Sequence, residues 1–157
     1  MTKSDLDDLD LKILDRYQHD TRIPAQAIGA AVGLSAAAVQ RRLKRMRQAG
    51  VILAEVATIA PERVGYPVTC LVGVRLQREG GAENRRFKAR MLRHRQVQQC
   101  YSVTGEVDFM LVVLARDVAD FESFAQAMLY SDDNVRSFTT FVVLDRVKIG
   151  TATPIER

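Results

Sequence analysis

The spacing of apolar residues changes period near Gly50, and no other feature constrains the fold of this chain as strongly. Before Gly50, leucine, isoleucine and alanine recur three and four apart, the helical period. Beyond residue 66, short β-branched runs and alternating stretches take over, the period of strands. At 157 residues the chain holds one large core or two small ones, and the change of period favours two. The expected division is residues 1–52, a connector over 53–65, and a second domain over 66–157.

The first part reads as three short helices. In LDDLDLKILDRYQ, Asp7 caps the start with Asp10 three residues on, and Leu6, Leu9, Ile13, Leu14 and Tyr17 form one stripe. The second helix starts near Pro24 and runs AQAIGAAV, with Ala27, Ile28, Ala31 and Val32 expected inward. Gly33 stops it in the left-handed conformation. Ser35 then caps AAAVQRRLKRMRQAG, whose Val39, Leu43 and Met46 point one way while Ala37, Arg41, Lys44 and Gln48 point the other. Arg42 sits at the edge of the buried stripe, where a pairing with Asp10 is expected.

Charge is sorted by element. Residues 1–20 carry six acids, Asp5 among them, against Lys3, Lys12 and Arg16. Residues 35–50 carry five bases (Arg41, Arg42, Lys44, Arg45, Arg47) and no acid. A solvated helix face mixes signs to gain pairs three and four apart, whereas this one stacks like charges. A polyanionic partner explains the stacking, and helix, tight glycine turn and capped basic helix is the helix-turn-helix layout that enters a DNA major groove.

VILAEVATIA reads as a wing or a connector strand. After it come strand VTCLVGVRL, helix GGAENRRFKARMLRHR, strands VQQCYSVTG and VDFMLVVLA, helix DVADFESFAQAMLY, and strand NVRSFTTFVVLDRVKI. In the second helix Val118, Phe121, Phe124, Ala125 and Met128 are expected inward. This β-α-β-β-α-β order is ferredoxin-like, an antiparallel sheet with both helices on one face. The sheet is apolar on both sides: Phe109, Leu111 and Val113 alternate with Met110, Val112 and Leu114. The face the helices leave bare is most simply covered by a second copy of the chain.

Other classes fit poorly. No apolar run approaches the ~18 residues of a membrane helix. The acidic start is unlike a signal peptide and points to the cytoplasm. Two cysteines (Cys70, Cys100) and two distant histidines (His19, His94) make no metal cluster, so neither metal nor cofactor is expected. Nor is there a nucleophilic triad or glycine-rich phosphate motif. The cysteines read as reduced core groups and His94, between Arg93 and Arg95, as surface.

Four segments in order resemble the Lrp/AsnC (feast/famine) transcriptional regulators: LDDLDLKIL, VGLSAAAVQRRLKRMRQAGVI, SVTGEVDFML and KIGTATPI. The resemblance implies an α+β chain, an N-terminal winged helix-turn-helix followed by a ferredoxin-like βαββαβ (RAM-type) regulatory domain. It implies dimers assembling further, often to octamers as tetramers of dimers, and a small-molecule effector, typically an amino acid. Departures are Glu106 for aspartate, Thr153 for leucine, Pro24 for a capping Ser/Thr and Thr21 for glycine.

The expected double-stranded DNA contacts are Ser35, Ala36, Ala37, Gln40, Arg41, Lys44 and Arg45. By resemblance, the effector site lies at a dimer interface near Ser102, Val103, Gly105, Glu106, Asp108, Val118, Phe141, Val142 and Val143. There Gly105 would expose N–H groups to a carboxylate, and Glu106 or Asp108 would accept from an ammonium. Equally, Gly105 would merely shape the turn and Asp108 orient it. The alternatives are a sirohaem-decarboxylase-like enzyme, which needs more histidines than His94 alone, and a nucleoid-organising DNA-binding protein.

Overall fold

A computed structural model describes residues 6–78 and 80–155, so Lys3 and Asp5 fall outside the description. The chain divides into two compact units, Met1–Ala57 with Lys148–Arg157, and Thr58–Val147.

Three helices form the first unit: α1 (Asp8–Tyr17), α2 (Ala25–Val32) and α3 (Ala36–Gln48). Each boundary has a local cause. Asp7 and Asp10 form a capping box, each side chain accepting from the other's backbone N–H. Gly33 ends α2 at φ 75°, and the Ser35 hydroxyl accepts from the Ala38 N–H. Pro24 provides no side-chain cap, as its chemistry requires. Ile13, Tyr17, Ile28, Val39, Leu43 and Met46 are buried together. The inward face of α2 differs from expectation: Ala25, Ile28, Gly29 and Val32 turn inward, while Ala27 and Ala31 are exposed. Gly29 sets this rotation, because an added Cβ would lie 2.4 Å from the Leu34 carbonyl oxygen. The turn between α2 and α3 is laid directly on that glycine.

Residues 53–60 pair with no described strand, and Leu53, Val56 and Ile59 are exposed. Its N–H and C=O groups thus have no strand partner among the described residues, and the segment runs as a link rather than as a paired strand. The tail differs from a division by sequence order, since from Lys148 it groups with the first unit. Gln18 clasps the Thr153 backbone, its amide donating to the carbonyl at 3.1 Å and its oxygen accepting from the N–H at 2.8 Å. Backbone carries both bonds, so threonine serves there as well as leucine.

In the second unit, strands β1 (Val68–Leu76), β2 (Val97–Ser102), β3 (Phe109–Ala115) and β4 (Val135–Val142) form one antiparallel sheet in the order β2-β3-β1-β4. Helices α4 (Gly81–Arg93) and α5 (Val118–Ala125, continued by a π-type turn to Tyr130) complete the ferredoxin-like order. Phe87 and Met91 of α4, with Phe124, Ala125 and Leu129, pack on Cys70, Val72, Val74, Phe109, Leu111 and Val113. Val118 is exposed instead of inward, being the first residue of its helix. Strand β4 stops at Val142, short of the expected Ile149. Its last ladder contact is the Val143 N–H to the Thr69 carbonyl at 2.9 Å, and β1 begins one residue earlier.

Candidate nucleic-acid interface and effector site

Helix α3 buries Val39, Leu43 and Met46 and leaves Ser35, Ala37, Gln40, Arg41, Lys44 and Arg45 exposed, with Ala36 half-buried. Six of the seven expected DNA contacts are thus exposed, while Ala36 lies beside the buried stripe. The expected pairing of Arg42 with Asp10 is present, but the expectation that the rest of the ridge stands without acids needs correction. Arg42 pairs with Asp7 at 2.7 Å and with Asp10 at 2.8 Å, Arg45 also pairs with Asp10, and Arg47 pairs with Glu55 at 2.7 Å. Asp7 and Asp10, at the start of α1, lie more than 30 residues from their arginines, and Glu55 lies eight residues beyond Arg47, all outside the helix and so outside a count within it. Arg41 and Lys44 have no acidic partner within 4.0 Å among the described residues.

Asp10 is the residue that sequence reasoning undervalued. It is fully buried, and a buried carboxylate is tolerable only when paired and hydrogen-bonded. Two guanidiniums and the Asp7 N–H meet that need. The hydrogen bond from Arg42 also holds the Asp7 carboxyl below its ordinary range. At the C-terminal end of α3, the Tyr17 hydroxyl donates to Glu55 at 2.5 Å and accepts from Arg47 at 2.8 Å. That hydroxyl, then Arg47, lowers the Glu55 carboxyl, whereas burial and then the Glu55 bond raise the Tyr17 phenol. The middle and the C-terminal end of α3 are tied to neighbouring segments by ion pairs, which hold its orientation within the unit.

The nine expected effector residues do not converge within one chain. Ser102, Val103, Gly105, Glu106 and Asp108 cluster around the β2–β3 turn, beside the end of β1. Phe141 and Val142 lie opposite Leu71 and Cys70, towards its start. The two groups are separated by about four residues of β1, roughly 13 Å. Phe141 and Val142 also point to opposite faces, Phe141 with Leu71 away from the helices. At the turn, the Asp108 carboxylate accepts from the Leu76 N–H at 2.6 Å, where a register shift in the β1–β4 ladder follows Arg75. Arg75 donates to the Glu106 carbonyl at 2.8 Å, and Gly105 stands at φ 128°. Asp108 thus has the turn-orienting role, and the Glu106 side chain is left in solvent.

The sheet face away from the helices carries Leu71, Tyr101 and Phe141, 37%, 53% and 58% exposed, beside half-buried Met110, Val112 and Leu114. A cavity of about 450 Å³ opens elsewhere, at the start of α4 and the 131–134 loop. Arg78, Arg86 and Arg90 line it with Glu83, Asp132 and Asp133, a self-neutralised lining that includes none of the expected effector residues. His94, expected at the surface, is half-buried: its ring packs edge-on to Phe124 at 5.0 Å, with Nδ1 buried. Cys70 and Cys100 are free thiols, and burial pushes both upward.

Two family models match this chain, the AsnC-type helix-turn-helix domain over residues 6–47 and the Lrp/AsnC ligand binding domain over residues 69–153. An uncharacterised HTH-type transcriptional regulator of Sinorhizobium fredii is 42% identical over 97% of this chain and 90% of its own length. This chain belongs to the Lrp/AsnC family of transcriptional regulators. Among solved structures, an AsnC family regulator from Agrobacterium tumefaciens is 29% identical at a TM-score of 0.87, covering 95% of this chain and 97% of that one. A Neisseria meningitidis regulator in complex with L-Met has the same identity and TM-score, covering 95% of this chain and 96% of that one. The relatives carry names such as HTH-type transcriptional regulator and leucine-responsive regulatory protein.

Proposed function

We propose that this Lrp/AsnC regulator binds duplex DNA through the outward face of α3 and is controlled by an amino acid held between two copies of its second unit. The observation that carries the DNA contact is the exposed row Ala37, Gln40, Arg41 and Lys44 on a helix capped by Ser35 and anchored by Val39, Leu43 and Met46. Small residues near the start of the helix allow close approach to the groove. Arg41 and Lys44 reach phosphates or guanine edges, Gln40 reaches base edges, and Arg45 takes part while tethered to Asp10.

The amino-acid reading rests on the L-Met complex of the Neisseria relative and on the division of the expected site into two groups, which a second chain brings together. In this reading the Gly105 turn receives the carboxylate and Glu106 the ammonium. The uncovered apolar sheet face supports a homodimer, and further assembly to a tetramer of dimers extends that reading. Its place of work is the cytoplasm, on the chromosome.

Electrophoretic mobility of the DNA upstream of its own gene tests the DNA contact: a shift at low salt is expected, and its absence overturns the assignment. A thermal-shift screen against the common amino acids tests the effector. A ligand at a hundred times its Kd stabilises by about 2.7 kcal/mol, and a flat screen refutes amino-acid control.

A further inference from the structure

Arg41, Arg42 and Arg45 line a cleft of about 190 Å³ on the first unit. Two of the three are held from behind. Asp10, wholly buried, accepts from Arg42 Nη1 at 2.8 Å and from Arg45 Nη2, and Arg42 Nη1 also meets both oxygens of Asp7. Arg41, the third, is exposed and has no acidic partner among the described residues. The residues lining the cleft are guanidiniums alone, with no acceptor and no aromatic or aliphatic side chain among them. Nothing in that set distinguishes one base edge from another, but it matches the oxygens of a phosphate, which accept from planar guanidinium forks.

We infer that this cleft clamps one backbone phosphate of the duplex, and that Asp10 is the positioning residue that holds the clamp in shape. The inference rests on the DNA-binding reading and adds to it a specific contact class and a role for a carboxylate that never touches DNA. Each guanidinium has five N–H donors, so Arg42 and Arg45 bind Asp10 through one nitrogen and keep others for the cleft. Fixing two long side chains before DNA arrives removes an ordering cost that free arginines would meet on binding. A phosphate contact locates the helix on the duplex without reading sequence, leaving readout to Gln40 and Lys44 on the same face.

The test turns on sign. Asp10→Asn removes a negative charge beside a polyanion site, so charge alone makes DNA binding tighter, whereas loss of the clamp makes it weaker. Binding of the full chain to a fluorescein-labelled duplex of mixed sequence, followed by anisotropy across a salt series, separates the two. Loss of one phosphate contact lowers the slope of log K against log salt by about 0.9 and weakens binding about eightfold at 0.1 M salt. Arg41→Gln is expected to show that loss of slope and affinity. Asp10→Asn and the charge-conserving Arg42→Lys keep the cations but lose the fork geometry, and are expected to weaken binding severalfold with little change of slope. A parental slope and affinity in Arg41→Gln, parental affinity in Arg42→Lys, or tighter binding by Asp10→Asn, overturns the clamp. If Asp10→Asn does not fold by circular dichroism, the two arginine variants decide. Inorganic phosphate at matched ionic strength is the second arm. Thermal stabilisation by it that depends on Arg41 assigns the cleft to a free anion and overturns the duplex assignment; none is expected. Should the parent bind no duplex at low salt, the DNA-binding reading fails and the clamp with it.

Discussion

Replacing Gly29 by alanine sets two physical effects against each other. In an isolated helix, Gly→Ala stabilises by about 1 kcal/mol, through lower backbone entropy in the unfolded chain. Here the new Cβ would stand 2.4 Å from the Leu34 carbonyl oxygen and 3.3 Å from its carbon. That obstacle is backbone, pinned because the Leu34 N–H donates to the Gly29 carbonyl at 2.9 Å and Ser35 caps α3 immediately afterwards. Relief requires a shift approaching 1 Å in the turn, and overpacking of this kind costs about 1–3 kcal/mol, with rigid backbone at the upper end. The expected net loss is therefore about 1–2 kcal/mol, seen as five- to thirtyfold lower hydrogen-exchange protection in α2 and α3. Local exchange is the right assay, because two units need not melt together. DNA affinity falls as well, since the turn aims α3. Gly33→Ala is the control: nothing lies within 4 Å of its Cβ, and only the strain of φ 75° is added, about 1 kcal/mol. Unchanged or higher protection in Gly29→Ala would refute the reasoning.

Three further outcomes follow from the same geometry. Leu71→Asp, on the uncovered sheet face, is expected to leave the fold intact and yield monomers by light scattering; an unchanged mass would sink the sheet-to-sheet dimer. Asp108→Ala leaves the Leu76 N–H without its acceptor and is expected to lower stability by about 1–3 kcal/mol, while Asp108→Asn keeps an acceptor oxygen and stays near the parent. Equal melting temperatures for parent and alanine variant would disprove the turn-orienting role. The Asp7 and Glu55 carboxyls are both lowered by folding, so their contribution is present above the unfolded values, about 3.9 and 4.3. It is lost as pH falls through the folded values. Exchange protection in the first unit should drop on acidification below about pH 4, less so in Asp7→Asn; superimposable acid limbs would argue against those bonds.

What the sequence determined by itself was local. The ends of α3 follow from Ser35 and from apolar residues three and four apart. Strand β1 follows from VTCLVGVRL, and the β-α-β-β-α-β order from the succession of periods. Caps, turns and periodicity act over a few residues, so they are readable one window at a time. The bareness of one sheet face was equally readable, because two helices cannot cover both sides. Tertiary structure decided what depends on residues far apart. The α3 ridge finds its acids in α1 and the connector. His94 packs against Phe124 despite its arginine neighbours. The expected effector residues, drawn from three separate segments, are held apart by strand register and by the two faces of the sheet. In each case the partner is set by how the chain returns on itself, and no count of nearest neighbours holds that information.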